Sequence, residues 1–251
     1  MQSKGSERPS ISAKIIQNAA TSELSNQEMA WTVGTLLYVS LFICGSGERF
    51  TELLNSAAGS ETTYTALSWW ALAMIAHPEY QRRAQAELDT VVGRSRVPTF
   101  SDISSLPYIQ ATVKEVLRWR PPLPFSIPHC TTEDDWYEGM FIPKGTTCVP
   151  NLWQCHHDPA VYGDDAARFN PGRFLNSFGK VTSGPAETRG EGHGTYGFGK
   201  RSCIGNHVAN DSLFIFIATS LWAMNLEGPC DDEGRQIPVD TESFFDTGMV
   251  V

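Results

Sequence analysis

Residues 196–209 read YGFGKRSCIGNHVA, and a little further on LFIFIATSLWAM at 213–224 is apolar almost all round. A segment apolar on every face is a buried helix, expected here from about Gly205 to Trp222. The glycine-rich stretch ahead of it delivers Cys203 to the N-terminal end of that helix. There the positive end of the helix dipole and nearby amide N–H groups stabilise an anion, so the position favours thiolate, a strong electron-donating ligand. Gly197, Gly199 and Gly205 let the backbone pass close to a flat group. The alternative is a buried structural cysteine, a description that suits Cys44 or Cys230 better.

Upstream, periodicity predicts a helix over 57–76 that ends before His77-Pro78, and a second from Pro78 to Gly93. A third covers 108–119 and is closed by Pro121-Pro122. It carries Glu115 and Arg118 at i, i+3, on one face. From 121 to 150 the pattern changes to short apolar pieces, with WYEGMFIPKGTTCVPN at 136–151 reading as a two-stranded hairpin. Residues 151–194, rich in Pro, Gly and Asp, read as long coil with a helical turn or two, and coil of that length is usually functional. The fold class is mainly α with a small β-sheet.

Lysine plus arginine number 19 against 28 aspartate plus glutamate, a balance that argues against binding to a nucleic-acid backbone. The six cysteines show no CxxC pair, so neither a zinc ribbon nor a disulfide framework is indicated. The polar start MQSKGSERPS carries no targeting signal. The apolar run at 31–45 is the only membrane candidate, and it falls short of the roughly 20 residues a spanning helix needs.

Four motifs together resemble the cytochrome P450 family. The cysteine loop is similar to the family's haem-binding loop: Tyr196 stands where Phe is usual, with Phe198 as a second ring nearby. Gly199 and Gly205 match, Arg201 corresponds to the arginine that pairs with a haem propionate, and Cys203 to the iron ligand. Glu115-Val-Leu-Arg118 resembles the ExxR segment, and FNPGRF at 169–174 supplies Arg173 for the buried Glu-Arg-Arg triad, although Gly172 departs from the commoner acidic residue. The resemblance gives that triad a structural role. Ala58-Gly-Ser-Glu-Thr-Thr63 is similar to the oxygen-binding segment of the distal helix. Glycine there costs about 1 kcal/mol relative to alanine, and threonine can bond the i−4 carbonyl, so the segment opens a groove. The proton-handling roles fall to Glu61 and Thr62; the alternative is a helix N-cap with a capping acid. His129, after Pro128, resembles a second propionate clamp, against the alternative of an ordinary packing or surface histidine. No role is assigned to His156, His157, His193 or His207.

The resemblance implies a partial P450 fold: distal helix, ExxR helix, hairpin, meander coil, cysteine-ligand loop and the helix after it. It implies haem b, and insertion of one oxygen atom from O2 into a small lipophilic substrate, with NADPH electrons delivered by a reductase. Filamentous-fungal members of secondary metabolism are the most alike, especially around HDPAVYGDDAARFNPGRF at 157–174. The chain reads as the C-terminal portion of one domain, lacking the N-terminal half and the final strands. A full-length relative would sit at the endoplasmic reticulum membrane through an N-terminal anchor that this chain lacks. Two alternatives stay open: a non-catalytic fragment or pseudogene product, and a haem-thiolate isomerase, dehydratase or peroxygenase on the same fold.

Residues 38–56, YVSLFICGSGERFTELLNS, separate WTVGTL from AAGSETT, two pieces that the family pattern runs together in one helix. Gly45-Ser46-Gly47 breaks the helical period. The segment is read as a retained intron, since Tyr38-Val39 can encode a splice donor and Ser56 an acceptor in the same phase; a genuine insertion or membrane segment is the alternative. The mature transcript is expected to lack these codons. A full-length message that keeps them, or genomic DNA without donor and acceptor, overturns the reading.

Overall fold

The computed structural model describes residues 50–235 except 186 and 187, together with 237, 239 and 241; of 50–58 and 60 it describes only the helical backbone. The chain divides into two units, Met1–Glu61 and Thr62–Val251. Residues 31–45, the apolar run, and 38–49 of the suspected insertion lie outside the described residues.

The described elements are α1 (Phe50–Ala76), α2 (Pro78–Val91), α3 (Pro107–Trp119), β1 (His129–Cys130), β2 (Asp135–Tyr137), β3 (Met140–Ile142), β4 (Thr147–Cys148), α4 (Leu152–His156), α5 (Pro159–Tyr162) and α6 (Asn206–Ala223). Short 3-10 turns occupy Phe100–Ser105, Pro171–Phe174 and Gly199–Arg201. Prolines open α2, α3 and α5, where the missing N–H is no loss. The helix α1 begins seven residues before the expected 57, because Thr51 to Asn55 include Glu and two Leu that sustain a helix once Ala57 and Ala58 follow. No helix among the described residues is long and apolar enough to cross a membrane.

In the second unit the core lies between α1, α2, α3 and α6. Ala66, Trp70, Ala73 and Met74 bury one stripe of α1, and Leu213, Phe214, Ile217, Ala218 and Leu221 pack the same cluster from α6. The helix α3 is buried over ten of its residues, Glu115 and Arg118 included. Glu87 of α2 accepts hydrogen bonds from the free amides of Tyr108 and Ile109 at the start of α3, at 2.9 to 3.1 Å. Buried Gln81 exchanges two bonds with the backbone of Leu226, at 2.7 and 2.9 Å, and so ties down the segment after α6.

The β region is two small sheets rather than one hairpin. Strands β2 and β3 pair antiparallel with Trp136 opposite Phe141, turning through Glu138 and Gly139 at φ 49° and 81°. Two consecutive residues with positive φ make a turn whose twist matches the strands. Outside that hairpin, β1 pairs β4, with His129 opposite Cys148. The coil from 151 to 194 contains α4, α5 and the turn at Pro171–Phe174, as its composition implied.

Candidate functional site

Arg118 has no exposed side-chain surface, and neither has Glu115. Placed at i, i+3 on α3, they meet in a bidentate pair, Nε to Oε2 at 2.7 Å and Nη2 to Oε1 at 2.8 Å. A buried guanidinium must place its remaining N–H groups, or the charge costs several kcal/mol. Arg118 does so on the carbonyls of His156 and Ala166, both at 2.7 Å, and of Arg168 at 3.1 Å. Arg173 Nε approaches Glu115 Oε2 at 3.5 Å, while its Nη1 donates to Asp165 Oδ1 at 2.8 Å and to the Tyr162 carbonyl. The Asn170 amide adds a bond to Glu115 at 2.7 Å. Burial pushes the Glu115 carboxyl up, against the pull of Arg118, Arg173 and the Asn170 amide. The three expected residues therefore meet, and Asp165, which the sequence did not single out, takes Arg173's other side.

The coil docked in this way leads to the cysteine loop. Thr195 Oγ1 donates to the Leu117 carbonyl at 2.7 Å, and the Gly194 amide donates to His156 Nε2 at 2.8 Å. A Cβ on Gly194 would meet Phe198 at 2.8 Å, so the close approach of that ring requires glycine. The Gly197 amide closes a turn onto Gly194 O at 2.8 Å, and the Cys203 amide reaches back to Tyr196 O at 2.7 Å. Gly197 and Gly199 sit at φ 72° and 58°, conformations open to glycine. Gly205 then caps α6, whose first amides receive no bond from its side. Cys203 is exposed at that helix end, with Ile204, Val208 and Phe198 exposed around it and Arg201 on the same turn.

Four further residues hold this loop and went unread in the sequence. Arg189 donates to Ser202 Oγ at 2.9 Å and to the Gly199 carbonyl. Tyr196 OH donates to Asn210 Oδ1 at 2.7 Å, and Asn210 Nδ2 donates to Glu191 Oε2 at 3.0 Å. Lys114 Nζ, on α3, reaches the carbonyls of Gly190 and Glu191 at 2.6 and 2.7 Å. Burial raises the Tyr196 hydroxyl and lowers the Lys114 amine. None of these residues belongs to a spacing motif.

The other expected residues fall elsewhere. Glu61 is exposed and Thr62 half-buried, both well inside α1 rather than at its start, so the N-cap alternative for Glu61 does not hold. His129 lies exposed in β1 and has no hydrogen bond to the cysteine loop among the described residues.

A buried ion network thus docks a glycine loop that presents the exposed sulfur of Cys203 just before a helix start. The family model described as Cytochrome P450 matches residues 51–243. A cytochrome P450 monooxygenase of Armillaria gallica is 49% identical over 247 residues, covering 98% of this chain and 44% of the relative. Cytochrome P450 monooxygenase 58 of Postia placenta is 46% identical over 246 residues, covering 98% and 43%. A cytochrome P450 monooxygenase of Amanita muscaria is 38% identical over 292 aligned residues, covering 98% and 49%. The chain belongs to the cytochrome P450 family, and it spans less than half the length of these relatives.

Haem, the group this family implies, fits the residues present. Among the described residues no three His, Cys, Asp or Glu side chains are grouped to hold a metal ion by themselves. What the loop offers is one sulfur, with exposed Phe198, Ile204 and Val208 for an apolar macrocycle to cover.

The buried network also sets a pH dependence. His156 is held neutral: burial, then the nearby Arg118 charge, lower its pKa from 6.5 to about 3. The folded chain therefore binds fewer protons than the unfolded chain between those values, so stability is full above 6.5 and is lost as pH falls through the window. The loss from this ring is expected to approach about 1.4 kcal/mol per pH unit. Denaturant titrations from pH 7 to pH 4 should show a flatter decline for His156→Gln than for the wild type, and parallel curves would refute the assignment.

Proposed function

We propose that the chain is the haem-binding part of a monooxygenase that inserts one atom of O2 into a small lipophilic organic molecule, with NADPH electrons supplied through a reductase. The observation that carries this reading is the placement of Cys203, exposed just before the start of α6 and held through Tyr196 by a loop anchored to α3. Cys203 would hold the iron, Arg201 and His129 the propionates, and Tyr196, Phe198, Gly199 and Gly205 the walls and close turns around the macrocycle. When bound, haem supplies the oxygen-activating redox chemistry, and a thiolate ligand pushes electron density that favours O–O cleavage.

The chain's own residues shape the remaining steps. The backbone turn before α6 holds Cys203 by its amide, which donates to the Tyr196 carbonyl at 2.7 Å, and leaves its side chain exposed. Thr62 and Glu61 on α1 hold and pass protons on the distal side, the hydroxyl by hydrogen bonding and the carboxylate by exchange with solvent.

A reduced, CO-treated spectrum of the haem-loaded chain should carry a thiolate-type Soret band. Cys203→Ala should abolish it, while Cys130→Ala, Cys148→Ala and Cys155→Ala leave it intact; survival of the band without Cys203 refutes the ligand assignment. NADPH-dependent product formation separates a monooxygenase from an isomerase, dehydratase or peroxygenase, and failure to take up haem supports the fragment reading.

In the complete enzyme Thr62→Ala should let oxygen reduction continue while product falls several-fold and peroxide rises, because proton delivery loses its hydroxyl. Unchanged coupling of NADPH use to product counts against the relay.

A further inference from the structure

His156 lies 38 residues from Arg118 and 38 from Gly194, and touches both. Its ring is buried at the point where the C-terminal end of α3 meets the stem of the cysteine loop. Nδ1 faces the Arg118 carbonyl at 3.0 Å, and a carbonyl can only accept, so Nδ1 carries the hydrogen. Nε2 faces the Gly194 amide at 2.8 Å, and an amide can only donate, so Nε2 is bare. The two partners thus select one neutral tautomer. Arg118 returns the bond, its Nη1 donating to the His156 carbonyl at 2.7 Å.

From Gly194 the route to the sulfur is short. The Gly194 carbonyl accepts the Gly197 amide, and Tyr196, inside that turn, offers its carbonyl to the Cys203 amide. The Gly194 amide held by His156 is therefore one turn away from the backbone bond that orients Cys203. We propose that His156 is a positioning residue for the Cys203 loop, latching the Gly194–Gly197 turn to the end of α3; the role toward a bound haem rests on the reading that Cys203 is the iron ligand.

The neighbours define what the latch must resist. Arg118 on α3 and His157 just after α4 oppose a positive charge on the ring, and the His193 ring of the stem lies 6.2 Å away. A cationic imidazole would also bring a second donor against the Gly194 N–H. The bond survives only because the ring stays neutral.

Two conservative variants separate a latch from packing. In His156→Asn the side-chain amide reaches the place of Nδ1, keeping the Arg118 bond and leaving the Gly194 amide unpartnered. In His156→Gln the amide reaches the place of Nε2, keeping an acceptor for Gly194. Hydrogen–deuterium exchange of the full chain without haem reads the result on peptides covering 193–205, 108–117 and 211–222. The Asn variant should exchange 193–205 roughly tenfold faster, about the effect of one lost buried hydrogen bond, with the other two peptides protected as in the wild type. The Gln variant should keep 193–205 near wild-type protection. Equal loosening in both variants, or no change at 193–205 in Asn, overturns the latch. In haem-loaded samples the Asn variant should show a smaller thiolate-type fraction than Gln. Absence of that band from the wild type refutes the ligand reading instead, and leaves the exchange result to decide the latch.

Discussion

A guanidinium with no water around it needs an acceptor for every N–H it buries, and in this chain Arg118 finds them on three carbonyls of the coil and on one carboxylate of its own helix. The coil from 151 to 174 buries Leu152, Tyr162, Ala166, Phe169 and Phe174, and the fork fixes how its backbone sits on α3. Arg173 repeats the device from the coil side, spanning Glu115 and Asp165.

The cysteine loop inherits its placement from this network through a handful of bonds. Thr195 to Leu117, Gly194 to His156 and Lys114 to the Gly190–Glu191 carbonyls join it to α3, and Asn210 joins it to α6 through Tyr196 and Glu191. The apolar core takes part through Tyr196, whose ring packs against it while its carbonyl accepts the Cys203 amide at 2.7 Å. Cys203 is thus exposed and yet placed: its amide is bonded to the Tyr196 carbonyl, and the loop around it is tied to α3 and α6.

What was legible in the sequence was local. Glu115 and Arg118 are three residues apart, the glycines around Cys203 lie within one loop, and the Glu138-Gly139 turn announces itself between two apolar runs. The helix boundaries followed from prolines. Arg189, Glu191, Asn210 and His156 act across distances that no period marks, and His156 stands beside His157, an identical residue with a different job: its Nδ1 merely turns back to the Trp153 carbonyl at 2.7 Å. The β1–β4 pair escaped for a related reason, since two-residue strands with every side chain exposed leave no alternation to read. The start of α1 was placed late because 38–56 was read as an inserted segment, so the helix formers at 50–56 were set apart from the helix they begin.

The reach of Arg118 has a temporal side. On the ribosome α3 emerges with Glu115 already beside that charge, and the carbonyls of His156, Ala166 and Arg168 are made 38, 48 and 50 residues later. Until then the helix holds a cation on the face it must bury. Closure entropy grows only as the logarithm of loop length, so these three contacts cost nearly the same and form together once the last is available. The fork therefore closes only after some fifty further residues are made, a non-local contact of the kind that goes with slower folding than helix winding.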